Sequence, residues 1–134
     1  MSSIRRYRLP DGWEVLVGRT DADNDALSLK VAGPNDWWFH VRGLPGSHVV
    51  LRCPPGREAD RESLKQAAAL AAWFSKARDA GIVGVSCTRA RYVTKPRGAK
   101  PGTVQIRKES VLKVRPGLGD AVEEGGPPTP GSAR

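Results

Sequence analysis

The sequence contains little that would place it in a membrane or in a disulfide-linked class. No apolar run comes close to the ~20 residues that a membrane helix needs, and residues 1–6 lack the apolar segment of a signal peptide. The two cysteines, Cys53 and Cys87, are too far apart for a CxxC pair. Isolated cysteines in apolar, strand-like surroundings are typical of reduced, buried thiols. We therefore predict a cytoplasmic protein without a membrane partner.

Signatures of nucleotide-binding enzymes are also missing. The sequence has no Walker loop and no GxGxxG phosphate signature, and it shows no internal repeats. Its 134 residues, 39% hydrophobic and 27% charged, suit one globular domain with a modest core.

Positive charge is the strongest compositional feature that is present. The formal net charge is +8. Residues 89–115 hold nine Lys or Arg and one acid, Glu109, whereas residues 1–88 hold twelve bases and ten acids. Residues 116–134 hold one base and three acids, so the whole excess lies in one 27-residue segment. Such clustering favours a polyanion as the partner.

The hydrophobic pattern predicts an α+β fold in which one long helix packs on one face of a mostly antiparallel sheet. The long helix is expected over residues 60–80, because Asp60 is a suitable N-cap and Gly81 follows the last turn. An alanine-rich apolar stripe runs along it. A short second helix is expected over residues 24–32.

Strand patterns and chain composition set the remaining boundaries. The predicted strands outside the central pair are residues 12–18, 83–95 and 103–115, the last of them a hairpin that turns near residues 108–110. From residue 116 onward Gly, Pro, Ser and acids dominate. We therefore predict a folded domain over residues 1–115 and a disordered tail over residues 116–134.

The most informative feature is a pair of strands, residues 36–42 and 47–52, joined by a Gly/Pro turn. Side chains alternate across a strand, so one face of the pair carries Trp38, His40, Arg42, His48, Val50 and Arg52. The opposite face carries the predicted core residues Trp37, Phe39, Val49 and Leu51. An aromatic ring, two histidines and two arginines on one surface suit a flat, anionic ligand.

A basic Pro/Gly loop, residues 95–102, provides the second candidate surface. Glycine removes side-chain obstruction, so lysine and arginine on such a loop approach a phosphate backbone closely. The candidate RNA-binding residues from both surfaces are His40, Arg42, His48, Arg52, Arg91, Lys95, Arg97, Lys100 and Arg107. Asp36 is expected to orient one of the histidines.

The residues alone leave other interpretations open. His40 and His48 would fill a structural role if they bonded to neighbouring strands or to Asp36. Near Ser47, they would also suit metal-independent cleavage of RNA. A ribosome-associated protein adaptor would bind protein and ignore the basic loop. His40, His48 and one cysteine would be the candidate zinc ligands, but the cysteines lack the spacing of zinc ligands, so we expect no metal. We also expect no cofactor.

Three motifs carry a resemblance to a known family: DWWFHV at residues 36–41, PGSHVV at 45–50 and YVTKPRGAKPGTV at 92–104. With segments 12–18, 24–27 and 67–75 they follow one another in order over most of residues 5–115. In this order the motifs resemble the NFACT-R domain, a module of the ribosome-quality-control factors of the NEMF and RqcH type.

The resemblance implies a non-catalytic RNA-binding module with tRNA or rRNA, and the large ribosomal subunit, as its setting. It also implies two sets of functional positions. The signature polar positions are Asp36, His40, Ser47 and His48, and the signature basic positions are Lys95, Arg97 and Lys100. The full-length factors carry an N-terminal NFACT-N domain, helix-hairpin-helix elements and a coiled-coil arm besides this module. Tailing of stalled peptides is therefore not implied for this chain.

Overall fold

A computed structural model describes residues 4–125, which form two β-sheets and two α-helices. The strands are β1 (Arg5–Arg8), β2 (Glu14–Val17), β3 (Trp37–Val41), β4 (Val49–Leu51), β5 (Val83–Arg89), β6 (Val93–Thr94), β7 (Gln105–Ile106), β8 (Ser110–Val114) and β9 (Val122–Glu124). The helices are α1 (Asp21–Ala26), which runs on into a π-helical turn over Leu27–Val31, and α2 (Arg61–Trp73). No helix in this part of the chain is long and apolar enough to cross a membrane.

The main sheet has seven antiparallel strands in the order β8-β5-β3-β4-β2-β1-β9, and β6 and β7 form a separate two-stranded ribbon. Helix α2 covers one face of the sheet with Ala67, Ala68, Ala71 and Ala72, all of them buried. Their small side chains let the helix approach the strands closely. The predicted α+β class, with a large antiparallel sheet and a helix on one face, is confirmed.

Helix α2 is shorter than the sequence predicts. Asp60 is the N-cap, as expected, and its carboxylate accepts the backbone N–H of Ser63 at 2.8 Å. The helix ends at Trp73, seven residues before the predicted end. Phe74 has ψ 44° and leaves the helical conformation, and Ser75 forms an isolated bridge with Gly46. Contact with another part of the chain thus accompanies the end of the helix.

The first helix also begins earlier than the sequence predicts. Its N-cap is Thr20, whose hydroxyl accepts the backbone N–H of Asp23 at 3.0 Å. Asn24, expected at the helix start, is instead buried within α1, and its side-chain oxygen accepts the backbone N–H of His48 at 3.1 Å. Because the helix starts at Asp21, Asn24 lies inside it, and its side chain is free to bond to a segment distant in the sequence.

Residues 83–115 differ from the two long strands that were predicted. β5 ends at Arg89, a 3-10 turn follows over Ala90–Tyr92, and β6 then pairs with β7 outside the main sheet. β8 returns to the main sheet beside β5, so the predicted hairpin near residues 108–110 is wrong. The change of direction passes through Lys108, whose φ of 58° is left-handed.

Both faces of the central strands are covered. On the α2 side, the predicted core residues Phe39, Val49 and Leu51 are fully buried, and Trp37 is half-buried against them. On the other side a second apolar cluster contains Ile4, Leu16, Leu27, Trp38, Val50 and Val93. Trp38 and Val50, expected on an open ligand face, are therefore core residues, because the ribbon and the π-helical turn pack over them.

The C-terminal part of the described chain contains a strand, β9. β9 lies inside the segment that the sequence predicts as disordered, and residues 126–134 of that prediction lie outside the described residues. β9 pairs with β1, a strand that is not predicted from the sequence because its residues RRYR lack an alternating apolar pattern. Ion pairs support the pairing: Arg8 Nη2 lies 3.0 Å from Glu124 Oε1, and Arg5 Nη1 lies 3.3 Å from Glu123 Oε2.

The two cysteines are free and buried, as predicted. Burial raises the pKa of the Cys87 thiol to about 12 and also raises the pKa of Cys53. Both side chains are therefore protonated at neutral pH.

Candidate nucleic-acid interface

His40 and His48 come together beside the start of β4, as the alternation of the two strands predicts. Their ring centroids lie 5.5 Å apart and the rings are nearly perpendicular. Trp38 stacks on His40 at 6.0 Å and meets His48 edge-on at 5.2 Å. Gly102 and Ile106 are on the opposite wall, and the space between the walls is a cleft of about 300 Å³, the histidine cleft.

A chain of hydrogen bonds holds the His48 ring in one orientation. The indole N–H of Trp38 donates to Ser28 Oγ at 2.8 Å, and Ser28 Oγ lies 2.7 Å from His48 Nδ1. His48 Nε2 lies 3.2 Å from the carbonyl oxygen of Gly102. Because a carbonyl only accepts, Nε2 carries the proton, and Nδ1 accepts from the Ser28 hydroxyl. The protein thus occupies both ring nitrogens of His48.

Both histidines are neutral at physiological pH. Burial, with a smaller contribution from the neighbouring His40, lowers the pKa of His48 to about 4. Burial also lowers the pKa of His40, which keeps partial exposure in the cleft. Neutral imidazoles contribute stacking and hydrogen bonds, and the positive charge that attracts phosphate comes from other residues.

The buried His48 predicts a loss of stability in mild acid. Its pKa in the folded protein lies below the ordinary 6.5, so the unfolded chain binds the proton more tightly. The contribution is fully present above pH 6.5 and is lost as the pH falls towards 4, up to about 3 kcal/mol. Urea denaturation at pH 7.5 and pH 4.5 measures this loss.

His48→Gln is the matched variant for this measurement. It removes the titrating ring, so its unfolding free energy should change less between the two pH values than that of the natural protein. Equal pH dependence in both proteins would contradict the assignment to His48.

Asp36 and Arg52 form a buried ion pair away from the histidines. Arg52 Nε lies 3.2 Å from Asp36 Oδ2, and each side chain is 7% exposed. The two carboxylate oxygens of Asp36 also accept the backbone N–H groups of Gly33 at 2.8 Å and Cys53 at 2.7 Å. Asp36 therefore holds Arg52 and two loops in place, and the expectation that it orients a histidine is wrong. Arg52 lies in the interior of the described protein, with little surface to offer a phosphate.

Lys95 closes the basic loop. Its ammonium lies 3.0 Å from Asp25 Oδ2 and donates to the carbonyl oxygens of Thr103, at 2.9 Å, and Lys100. Asp25 Oδ1 also accepts the backbone N–H of Gly102 at 3.1 Å. Lys95 is thus engaged in holding the loop against α1, and the loop reaches the histidine cleft in a fixed conformation.

The other loop cations face solvent. Arg97 and Lys100 are exposed, and within residues 4–125 neither side chain has an ion pair or a hydrogen bond to another side chain. At the ends of the ribbon, the Arg107 guanidinium lies 5.5 Å and the Lys108 ammonium 6.0 Å from the centre of the Tyr92 ring. Lys108 and Tyr92 are not among the residues predicted from the sequence, although an aromatic residue among bases is a pattern of nucleic-acid-binding surfaces.

Two further predicted residues are exposed but already have partners. Arg42 lines the histidine cleft and lies 3.4 Å from Glu109. Arg91 donates to the Pro34 carbonyl oxygen at 3.3 Å and to the Asn35 side chain. The structure therefore brings three of the predicted residues together at the histidine cleft: His40, His48 and Arg42. Four others are exposed on the protein surface outside this cleft: Arg91, Arg97, Lys100 and Arg107.

Ser47 does not reach the histidine cleft. It lines a different cleft, next to the C-terminal end of α2. Within residues 4–125, no three His, Cys, Asp or Glu side chains lie close enough together to hold a metal ion.

Known proteins are similar to this chain in sequence and in fold. Residues 4–108 match the family described as the NFACT protein RNA binding domain. Relatives named Rqc2 homolog RqcH are 40% identical over 113 residues in Bacillus subtilis strain 168 and 41% identical over 112 residues in Streptococcus suis strain 05ZYH33. These alignments cover 84% and 83% of this chain and 19% and 20% of the relatives, so the chain spans about a fifth of their length.

A solved structure supports the same relationship. It is the C-terminal part of the fibronectin/fibrinogen-binding protein from Streptococcus suis, which is 39% identical and superposes with a TM-score of 0.81. The match covers 87% of this chain and 47% of that structure. Sequence and fold agree, and the chain belongs to the family of NFACT RNA-binding domains.

Proposed function

We propose that this chain is a non-catalytic module that binds tRNA or rRNA in a ribosome-associated, quality-control setting. The observation that carries the proposal is the set of solvent-facing bases on the ribbon and its loop, beside an aromatic cleft, in a member of an RNA-binding family. The name shared by the relatives, Rqc2 homolog RqcH, supports the setting.

The two parts of the surface have different roles in this proposal. Arg97, Lys100 and Arg107 neutralise phosphates, because all three are exposed: Arg97 and Lys100 lie on the loop that Lys95 holds in place, and Arg107 lies at the end of the ribbon beside Tyr92. The histidine cleft accepts an unpaired base, which packs against the half-buried ring of His40, and Trp38 supports that ring from within the core. An RNA loop or bulge fits this arrangement better than an uninterrupted duplex, whose bases are already stacked.

The state of His48 argues for binding over catalysis. A general base works best with a pKa near the working pH, whereas burial lowers the pKa of His48 to about 4. Both nitrogens of its ring are engaged by Ser28 and Gly102. The ribonuclease alternative predicts that the natural protein cleaves RNA. If His40→Ala or His48→Ala abolished such cleavage while RNA binding persisted, the alternative would replace our proposal.

Crosslinking of RNA to the protein in cells, followed by sequencing, tests the proposed function. We expect enrichment of tRNA or of one rRNA region with the natural protein, and loss of that enrichment with Arg97→Gln/Lys100→Gln/Arg107→Gln. If no RNA is enriched above background, the adaptor alternative takes first place. Recovery of ribosomal protein in assays free of RNA, unaffected by the triple variant, would then support that alternative.

A further inference from the structure

A second cleft, of about 580 Å³, lies between the start of α1 and the end of α2. We call it the α2 cleft. Its charged lining residues are Arg5, Arg19, Lys76, Arg78 and one acid, Asp21. Two aromatic residues, Trp73 and Phe74, also line it. Arg5 is paired with Glu123 at 3.3 Å, so Arg19, Lys76 and Arg78 are the lining bases that have no carboxylate partner within residues 4–125. They make the cleft electropositive beside its aromatic rings, although it lies outside the basic segment found in the sequence.

Arg78 is held ready for an anion. Its guanidinium lies 4.2 Å from the centre of the Trp73 ring, and its Nε donates to the Trp73 carbonyl oxygen at 2.8 Å. In the part of the chain that the structure describes, its two terminal nitrogens have no hydrogen-bond partner. A planar guanidinium that is fixed through Nε and has both terminal nitrogens free can donate to two oxygens of a phosphate group.

The α2 cleft and the histidine cleft are neighbours. The connection between β3 and β4, residues 42–48, lines both: Pro45, Gly46 and Ser47 face the α2 cleft, and Arg42 and His48 face the histidine cleft. Because adjacent residues of an extended chain point to opposite sides, the Ser47-His48 pair places one side chain in each cleft. A strand of RNA that leaves one cleft therefore needs to cross only this connection to enter the other.

Close packing fixes the connection against α2. The backbone N–H of Ser47 donates to the Phe74 carbonyl oxygen at 2.9 Å, and the N–H of Lys76 donates to the Pro45 carbonyl oxygen at 3.0 Å. A Cβ on Gly46 would lie 2.6 Å from the Cβ of Ser75, so only glycine fits there without displacement. The wall between the two clefts is thus rigid.

From this geometry we infer that the α2 cleft is a second phosphate-binding site, which holds the backbone of the same RNA after it passes the histidine cleft. Arg78 and Lys76 contact the phosphates, and Ser47 offers a hydroxyl on the α2-cleft side of the connection. The inference rests on the proposed function and extends it from one contact surface to two.

The test measures the affinity for unfractionated tRNA over a range of salt concentrations. We expect Lys76→Gln/Arg78→Gln to lower the affinity roughly 100-fold, about tenfold for each charged contact. The slope of log affinity against log salt should shrink by about 1.5, as expected for two lost phosphate contacts. The matched control is Arg61→Gln/Lys65→Gln, which removes the same charge from the other end of α2 and should leave the affinity within about threefold, an effect of net charge alone.

Two single variants separate site geometry from charge and from folding. Arg78→Lys keeps the charge but loses the planar fork, so its affinity should be intermediate, and affinity equal to that of the natural protein would overturn the role of the fork. Lys76→Gln leaves the stacking of Arg78 on Trp73 in place, and the affinity of this variant for tRNA should fall about tenfold. The unfolding temperature of each variant reports whether it folds.

The outcomes distinguish this inference from the proposed function. In one outcome, Arg97→Gln/Lys100→Gln/Arg107→Gln loses binding, whereas the α2-cleft variant Lys76→Gln/Arg78→Gln binds tRNA as tightly as its control. That outcome would overturn the second site and leave the first intact. If neither variant weakens binding, both proposals fail. If the α2-cleft variant loses binding to polyglutamate but keeps its affinity for tRNA, the cleft serves an acidic protein segment, and the inference is wrong.

Discussion

Replacement of Arg97, Lys100 and Arg107 by glutamine should lower the affinity for RNA by about 10³-fold at low salt, roughly tenfold for each charged contact. The reason is that Arg97 and Lys100 are exposed without a protein partner within residues 4–125, and Arg107 is exposed beside Tyr92. Fluorescence anisotropy with labelled tRNA measures the affinity, and circular dichroism checks that the fold is retained.

Salt dependence gives an independent measure of the same contacts. With three contacts from Arg97, Lys100 and Arg107 and two in the α2 cleft, the natural protein should lose affinity by about 10²- to 10³-fold between 50 and 200 mM salt. The triple variant should have a slope smaller by about 2 to 3 in log affinity against log salt. An affinity that does not change with salt would refute the electrostatic basis of binding.

Lys95 is the informative contrast to these three residues. Because its ammonium is bound to Asp25 and to loop carbonyls, Lys95→Gln should loosen the loop as well as remove a charge. Its effect on RNA affinity should therefore be accompanied by a lower unfolding temperature, whereas Arg97→Gln should leave the unfolding temperature unchanged. Equal thermal stability of the two variants would contradict the scaffold role of Lys95.

Replacement of Asp36 by alanine should have the largest effect on stability, a loss of about 3–5 kcal/mol in the free energy of unfolding. The substitution leaves the Arg52 guanidinium buried without its carboxylate partner. It also removes the acceptor for the backbone N–H groups of Gly33 and Cys53. Urea denaturation at pH 7.5 measures the loss.

A surface ion pair supplies the control for Asp36. Glu58 pairs with Arg89 at 2.9 Å, but the Glu58 side chain is 65% exposed. Glu58→Ala should therefore lower the free energy of unfolding by less than about 1 kcal/mol. The double variant Asp36→Ala/Arg52→Met removes the unpaired charge and should recover part of the loss. A cost for Asp36→Ala no larger than that for Glu58→Ala would show that the buried pair does not hold these loops.

Much of the local structure followed from short-range patterns. Alternation over residues 36–42 and 47–52 predicted the pairing of β3 with β4, and with it the meeting of His40 and His48. Asp60 predicted the start of α2, since an N-cap acts on backbone groups only three residues away. The concentration of bases in residues 89–115 predicted the exposed loop cations.

The errors arose where the deciding contact is distant in the sequence. α2 ends next to a connection almost thirty residues away, where Gly46 meets Ser75. β6 leaves the main sheet to pair with β7, and the α2 cleft collects bases from β1, the start of α1 and the end of α2. No local pattern encodes such pairings, because each depends on how separate elements pack.

Residue order, acting through side-chain alternation, capping and charge, was sufficient to place two histidines and two arginines on one face of a strand pair and to indicate a polyanion partner. The tertiary structure then gave different degrees of burial to residues that occupy equivalent positions in the sequence pattern. Arg42 stays at the surface, whereas Arg52 is buried against Asp36, and His48 is neutral because the ribbon and the π-helical turn exclude water from its ring. Burial depends on every element that packs over a residue, so charge state and access to a ligand were decided only by the tertiary structure.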